Sequence, residues 1–166
     1  MSRRDVKYFS HAASRLLSAE QLLDAISSVT GTPEAFPGLP AGTRAGQLPS
    51  PELGTHFLKI FGQPGRDTAC ECERGHDPKL TQALQLINGP MITAKLQAPG
   101  SRLSRREGQP AQEIVVDLYY AALSRPPSEA ELKDSLAYIT ESENPRQGLE
   151  DLCWALVNSK EFLFQH

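Results

Sequence analysis

Apolar residues recur at helical spacing near the start of the chain. Ser18 and Gln21 occupy the positions of a capping box, in which each side chain bonds the backbone N–H of the other residue. The apolar residues that follow share one helical face: Leu22, Leu23, Ile26 and Val29. Gly31 then provides a stop signal. The pattern predicts a helix over residues 18–30.

A segment rich in proline and glycine follows, over residues 31–66. Its 36 positions hold 6 prolines and 7 glycines, which obstruct both helix and sheet because proline lacks a donor and glycine costs backbone entropy. About two turns of helix are expected at 55–61, and a long irregular loop elsewhere. Four apolar residues are expected to anchor it: Phe36, Leu39, Leu48 and Phe57. Such a loop is usually a functional or interaction surface, and a loop that merely wraps the core is equally consistent.

The pattern after this loop is helical again. Asp77-Pro78 places an aspartate at a helix cap and a proline at the first helical position. Asn88-Gly89-Pro90 interrupts that helix, which resumes over residues 91–97. Residues 98–110 are polar and basic and are predicted to form a surface linker.

Three more helices are predicted over residues 111–124, 129–140 and 146–162. Ser128 and Glu131 form a second capping box ahead of the middle one. Each helix has a narrow apolar face, and the short connections favour packing of neighbouring helices into one unit. We expect Leu152 and Leu156 at its shared centre, with Glu150 and Glu161 on an acidic outer surface.

No segment shows strand-like alternation of useful length. The predicted fold class is therefore all-α, with about five to six helices, the loop at 31–66 and a C-terminal three-helix unit. A chain of 166 residues fits one domain that buries most of its apolar surface, so residues 1–166 are predicted to form a single helical domain.

Composition narrows the functional classes. The net charge of −3 argues against a non-specific nucleic-acid binder, which needs excess Lys and Arg to displace counterions. Residues 111–166 carry 4 Lys/Arg against 10 Asp/Glu, which predicts an acidic surface there. No apolar run approaches the roughly 20 residues needed to span a bilayer. The N-terminus has no apolar stretch of the kind found in signal peptides.

The densest cluster of reactive side chains lies between the loop and the helix that begins at Asp77. Its members form the candidate functional cluster: Cys70, Glu71, Cys72, Glu73, Arg74 and His76. Structural zinc sites prefer thiols separated by two residues and a second ligand pair, and redox sites favour Cys-x-x-Cys at a helix N-terminus. The spacing here fits neither well. Metal binding, thiol redox chemistry and a structural turn all remain open, and we predict no metal at Cys70 and Cys72.

Other candidate chemistry is weaker. Cys153 lies on the apolar face of the last predicted helix, where free cysteine behaves as a small hydrophobic residue. The Cys-x-x-Cys-His string of c-type haem is absent from the sequence, so no cofactor is predicted. There is no Gly-x-Ser-x-Gly and no phosphate-binding glycine loop. The histidines form no ligand pair, and we identify no catalytic residue.

Several strings of the sequence together point to a family. They are FSH at 9–11, RLLSAEQLLDAI at 15–26, FPGLP at 36–40, FGQP at 61–64, CECER at 70–74, QALQLING at 82–89, YAALSRPP at 120–127 and NSKEFLF at 158–164. The chain closely resembles the C-terminal part of the planctomycete secreted family called domain of unknown function 1553.

The resemblance implies a C-terminal module of a larger exported protein, often with a cytochrome c domain upstream. It therefore implies a location in the periplasm or cell envelope, and upstream domains or other envelope proteins as partners. No activity is attached to this part of the family. The sequence and the resemblance favour a non-catalytic structural or interaction module. The alternative is part of a redox or glycan-directed enzyme that uses Cys70 and Cys72.

Overall fold

The computed structural model describes residues 15–61 and 90–165 of the chain. Within them the order of elements is β1 (Arg15–Leu16), α1 (Ala19–Thr30), α2 (His56–Ile60), α3 (Pro90–Gln97), α4 (Arg102–Arg105), α5 (Ala111–Leu123), α6 (Glu129–Glu141), α7 (Pro145–Val157), α8 (Lys160–Leu163) and β2 (Phe164–Gln165). Two short 3-10 turns, Ala45–Gln47 and Pro51–Leu53, lie between α1 and α2. The all-α class predicted from the sequence is confirmed.

Helix α1 forms as its sequence pattern predicts and lies at the centre of the described fold. Ser18 N donates to Gln21 Oε1 at 3.0 Å, and Gln21 N donates to Ser18 Oγ at 3.3 Å, which completes the capping box. The helix ends at Gly31, whose φ of 70° lies in the left-handed region that favours glycine. Its buried face contacts α2, α3, α4 and α5.

The described part of the long loop is irregular and packed against the core. Phe36, Leu48 and Phe57 are buried, and Leu39 is half-buried against them. The stacked rings of Phe57 and Phe61, with centroids 4.2 Å apart, fix the end of this segment. The aromatic anchors predicted from the sequence therefore hold this part of the loop in place. Residues 62–66, and the helix predicted to begin at Asp77, lie outside the described residues.

The prediction of a surface linker at 98–110 is wrong for its first half. Ser101 begins α4, and its hydroxyl accepts from Ser104 N at 3.2 Å and donates to Leu96 O at 2.8 Å. Ser101 and Leu103 are buried. This segment is therefore a tight corner between α3 and α5. The sequence did not indicate this role, because a string of basic residues is typical of a solvent-exposed segment and its tertiary partners cannot be read from the sequence.

Helices α5, α6 and α7 contact one another and form the predicted C-terminal unit. Its centre differs from the prediction. Leu156 is buried, but Leu152 is only half-buried, and the side chains with no exposure on α7 are those of Cys153 and Val157. A Cβ added at Gly148 would lie 3.1 Å from the Cα of Ile139. Helices α6 and α7 therefore approach closely at this glycine.

The end of the chain is not the single helix predicted over 146–162. Helix α7 stops at Val157, where the Asn158 side chain donates to Trp154 O at 2.8 Å. Ser159 then accepts from Phe162 N at 3.2 Å and begins α8. Strand β2 pairs antiparallel with β1, with Leu16 opposite Phe164. This two-stranded pair had no signal in the sequence because each strand has only two residues.

Candidate functional site

The cluster singled out from the sequence lies outside the residues that the structure describes. It consists of Cys70, Glu71, Cys72, Glu73, Arg74 and His76. The absence of metal at Cys70 and Cys72 therefore stays a prediction. Within residues 15–61 and 90–165, no group of three or more His, Cys, Asp or Glu side chains could hold a metal ion.

Cys153 is the cysteine that the structure does describe. Its side chain has no exposure, and burial raises the pKa of the thiol to about 12. The nucleophilic form of cysteine is the thiolate, which burial disfavours. Cys153 is therefore an inert part of the core, as its position on the apolar face of the helix predicted.

A surface cavity of about 410 Å³ lies between the outer face of α1 and the loop that folds back over it. Asp24 and Ser28 line it from α1, and Glu34, Thr43 and Arg44 line it from the loop. This cavity has no signal in the amino-acid sequence, because its two walls come together through tertiary contacts.

Both ends of the loop wall are tied to the rest of the fold. The Asp24 carboxylate accepts from Ala45 N at 2.7 Å and from Gly46 N at 3.2 Å. At the other end, Lys95 Nζ donates to Thr32 O at 3.0 Å and pairs with Glu34 Oε2 at 2.8 Å. The cavity is therefore preformed and does not depend on a free loop.

Arg102 joins three elements at one end of α1. Its Nε donates to Val29 O at 2.8 Å and its Nη2 to Ser28 O at 3.1 Å, so it binds the C-terminal carbonyls of α1. Its Nη1 pairs with Asp117 Oδ2 on α5 at 2.9 Å. A cation is favourable at a helix C-terminus because the carbonyls there carry partial negative charge. Arg102 thus ties α1 to α4 and α5. We call such a cluster of charged bonds between segments a joint.

Arg146 and Glu150 form a second such joint, where the sequence predicted an outer acidic surface. Glu150 is buried, with a relative exposure of 6%. Its Oε1 accepts from Arg146 Nε at 2.9 Å, and its Oε2 accepts from Gln97 Nε2 at 3.1 Å. Arg146 Nη2 also donates to Leu96 O at 3.0 Å. The prediction for Glu150 is wrong, because this pair fastens α7 to the end of α3.

Arg125 is the centre of a third joint, between α6 and α8. It binds Glu131 through two bonds of 2.9 Å and Glu161 through bonds of 2.7 and 2.9 Å. The Arg125 hydrogen bond lowers the pKa of Glu131 to about 2, with a further contribution from the backbone of Ser128. Glu161 is exposed, as predicted, but it is an ion-pair partner rather than an isolated surface charge.

No helix in the described ranges is both long enough and apolar enough to cross a membrane. Residues 43–139, more than half of the chain, match the family model described as PSD1, protein of unknown function (DUF1553). No curated protein matches the chain, and no solved structure does.

Proposed function

Because the chain belongs to the PSD1 family, described as proteins of unknown function (DUF1553), we propose a function from the chemistry of its described residues. The family resemblance found in the sequence is thereby confirmed. We propose that the chain is a non-catalytic structural or interaction module of a bacterial cell-envelope protein. It would act alongside upstream domains of a larger polypeptide or other envelope proteins.

The observation that carries this proposal is that charged side chains inside the fold join its segments to one another. Arg102, Arg146 and Lys95 each bind a carboxylate and the backbone carbonyl of another segment. These contacts fasten the ends of α1 and α3 to the segments packed against them. Charged side chains that are buried or half-buried and fully engaged in such contacts favour a rigid fold. A rigid fold supports the proposal of a scaffold that displays binding surfaces.

The envelope location and the partners rest on the family resemblance. The resemblance implies a secreted planctomycete protein that often carries a cytochrome c domain, and we propose the same setting for this chain. Fractionation of the source bacterium, with antibody detection of the protein, tests the location. Cross-linking in intact cells followed by mass spectrometry tests the partners. Recovery of the protein in the cytosol alone, with no envelope protein cross-linked to it, would count against both.

The non-catalytic role has its own test. A Cys70→Ser, Cys72→Ser double variant of the complete protein should keep every redox and glycan-cleaving activity of the parent, because the proposal gives the thiols no chemical role. Metal analysis and thiol titration of the folded and unfolded chain accompany it. Loss of such an activity with an unchanged circular dichroism spectrum would favour the enzyme alternative.

A further inference from the structure

The charged side chains that line the cavity beside α1 are only partly paired with one another or with their neighbours. Asp24, Glu34 and Arg44 line it. Lys95 pairs with Glu34, so that carboxylate is compensated. The bonds to Asp24 come from neutral backbone amides, which leave its negative charge in place. Neither Asp24 nor Arg44 has an ion pair within the described parts of the chain. One carboxylate and one guanidinium therefore remain uncompensated in the same cavity.

The cavity also offers hydrogen-bonding groups and a suitable size. Ser28 and Thr43 place hydroxyls in its wall, and the Thr43 hydroxyl already donates to Pro40 O at 2.7 Å, which leaves its oxygen as an acceptor. A volume of about 410 Å³ lies within the usual range for small-molecule sites. The anchored walls lower the cost of ordering the site when a ligand binds.

We propose that this cavity binds a small zwitterion, of the size of an amino acid or a dipeptide, with its ammonium group towards Asp24 and its carboxylate towards Arg44. A guanidinium binds a carboxylate through two parallel hydrogen bonds, and such charge-assisted bonds are stronger than neutral ones. A ligand with both charges meets both uncompensated groups, whereas a simple anion or cation meets one and is repelled by the other. This inference does not depend on the proposed scaffold role.

The first test compares three probes that share one skeleton. Glycylglycine carries both charges, N-acetylglycine lacks the ammonium group, and glycylglycinamide lacks the carboxylate. Calorimetric titration of the 166-residue chain at neutral pH should show saturable binding of glycylglycine, and binding weaker by about tenfold or more for each one-charge probe. No saturable binding of glycylglycine at millimolar concentration, or equal binding of all three probes, would overturn the proposal.

The second test removes one charge of the cavity at a time. Arg44→Gln should weaken the binding of glycylglycine by about tenfold. It should leave the binding of glycylglycinamide no weaker, because that probe has no carboxylate for Arg44 to bind and is no longer repelled by its charge. Asp24→Asn removes the charge and keeps an oxygen for one of the two loop amides, which bond different oxygens of Asp24. It should leave the binding of N-acetylglycine no weaker. Arg15→Gln, at an exposed arginine outside the cavity, is the control.

A third variant blocks the cavity by volume instead of charge. Ser28→Phe places an aromatic ring on an exposed wall position of α1 and should abolish binding of glycylglycine. Circular dichroism establishes that each variant is folded. If Arg15→Gln weakens binding as much as Arg44→Gln, or if Ser28→Phe leaves it intact, the probe binds elsewhere and the proposal is wrong.

Discussion

The joint at Arg102 gives the sharpest test of how this fold is held together. Its guanidinium makes three bonds, two to the last carbonyls of α1 and one to Asp117. Replacing it by methionine keeps most of the apolar stem and removes all three. The carbonyls of Val29 and Ser28 then lose this donor at the end of the central helix. Among the residues that the structure describes, Asp117 keeps Arg106 as its one ion-pair partner, at 2.7 Å.

The expected loss follows from the burial of these groups. A hydrogen bond to a charged group contributes about 1.5–3 kcal/mol, and water recovers part of this wherever it can reach the freed partner. The Val29 and Asp117 bonds are partly buried and the Ser28 bond is exposed. We therefore expect Arg102→Met to lower the free energy of unfolding by about 2–4 kcal/mol.

Arg106 provides a matched control. It pairs with the same carboxylate but reaches no carbonyl of α1 in the described structure. Arg106→Met should cost less, about 1 kcal/mol, because it removes one partly buried ion pair and no bond to α1. Arg102→Lys should recover only part of the loss, because an ammonium group lacks the planar fork that reaches three acceptors. Urea melts followed by circular dichroism measure all three. Equal midpoints for Arg102→Met and Arg106→Met would refute the role given to Arg102.

Four further predictions concern the C-terminal unit. Leu156→Ala should cost about 2–5 kcal/mol in unfolding free energy, since it empties a buried site. Glu150→Ala should cost about 1–3 kcal/mol, because it leaves the partly buried Arg146 without its carboxylate; a silent Glu150→Ala in urea melts would restore the sequence-based interpretation. Because Glu131 has a folded pKa of about 2, below its ordinary 4.5, its contribution to stability should disappear as pH falls between these values, and Arg125→Gln should flatten that part of the measured pH profile. Gly148→Ala should lower the unfolding free energy by about 1 kcal/mol despite the helix propensity of alanine, and a rise in melting temperature would contradict the close approach of α6 and α7.

The elements that the sequence predicted well are those set by neighbouring residues. Both capping boxes, at Ser18 and Ser128, form as expected, because each involves residues only three positions apart. The irregular character of the loop follows from its prolines and glycines, and its anchors follow from hydrophobicity alone. Such features need no knowledge of which segments meet in the fold.

The features that escaped prediction depend on contacts between distant residues. Arg102 meets Val29 across 73 positions, and nothing in a basic string marks one arginine as a partner of a helix end. Glu150 is an instructive exception, since Arg146 stands four residues before it on the same helix. That spacing was an available signal for an ion pair, but the burial of Glu150 required knowledge of α3. The cavity was not predicted, because its walls are joined by contacts between distant residues: Asp24 with the loop at one end, and Lys95 with the loop at the other.

The joint and the cavity share one short stretch of α1, and this links their behaviour. Ser28 lines the cavity, while its carbonyl accepts from Arg102, which binds Asp117 on α5. One wall of the cavity is thus fixed to the C-terminal unit, and the other is fixed to α3 through Lys95. A ligand that binds these walls only in the folded state must stabilise the elements that hold them. Occupation of the cavity is therefore expected to protect α1 and α5 together from hydrogen exchange, and not the loop alone.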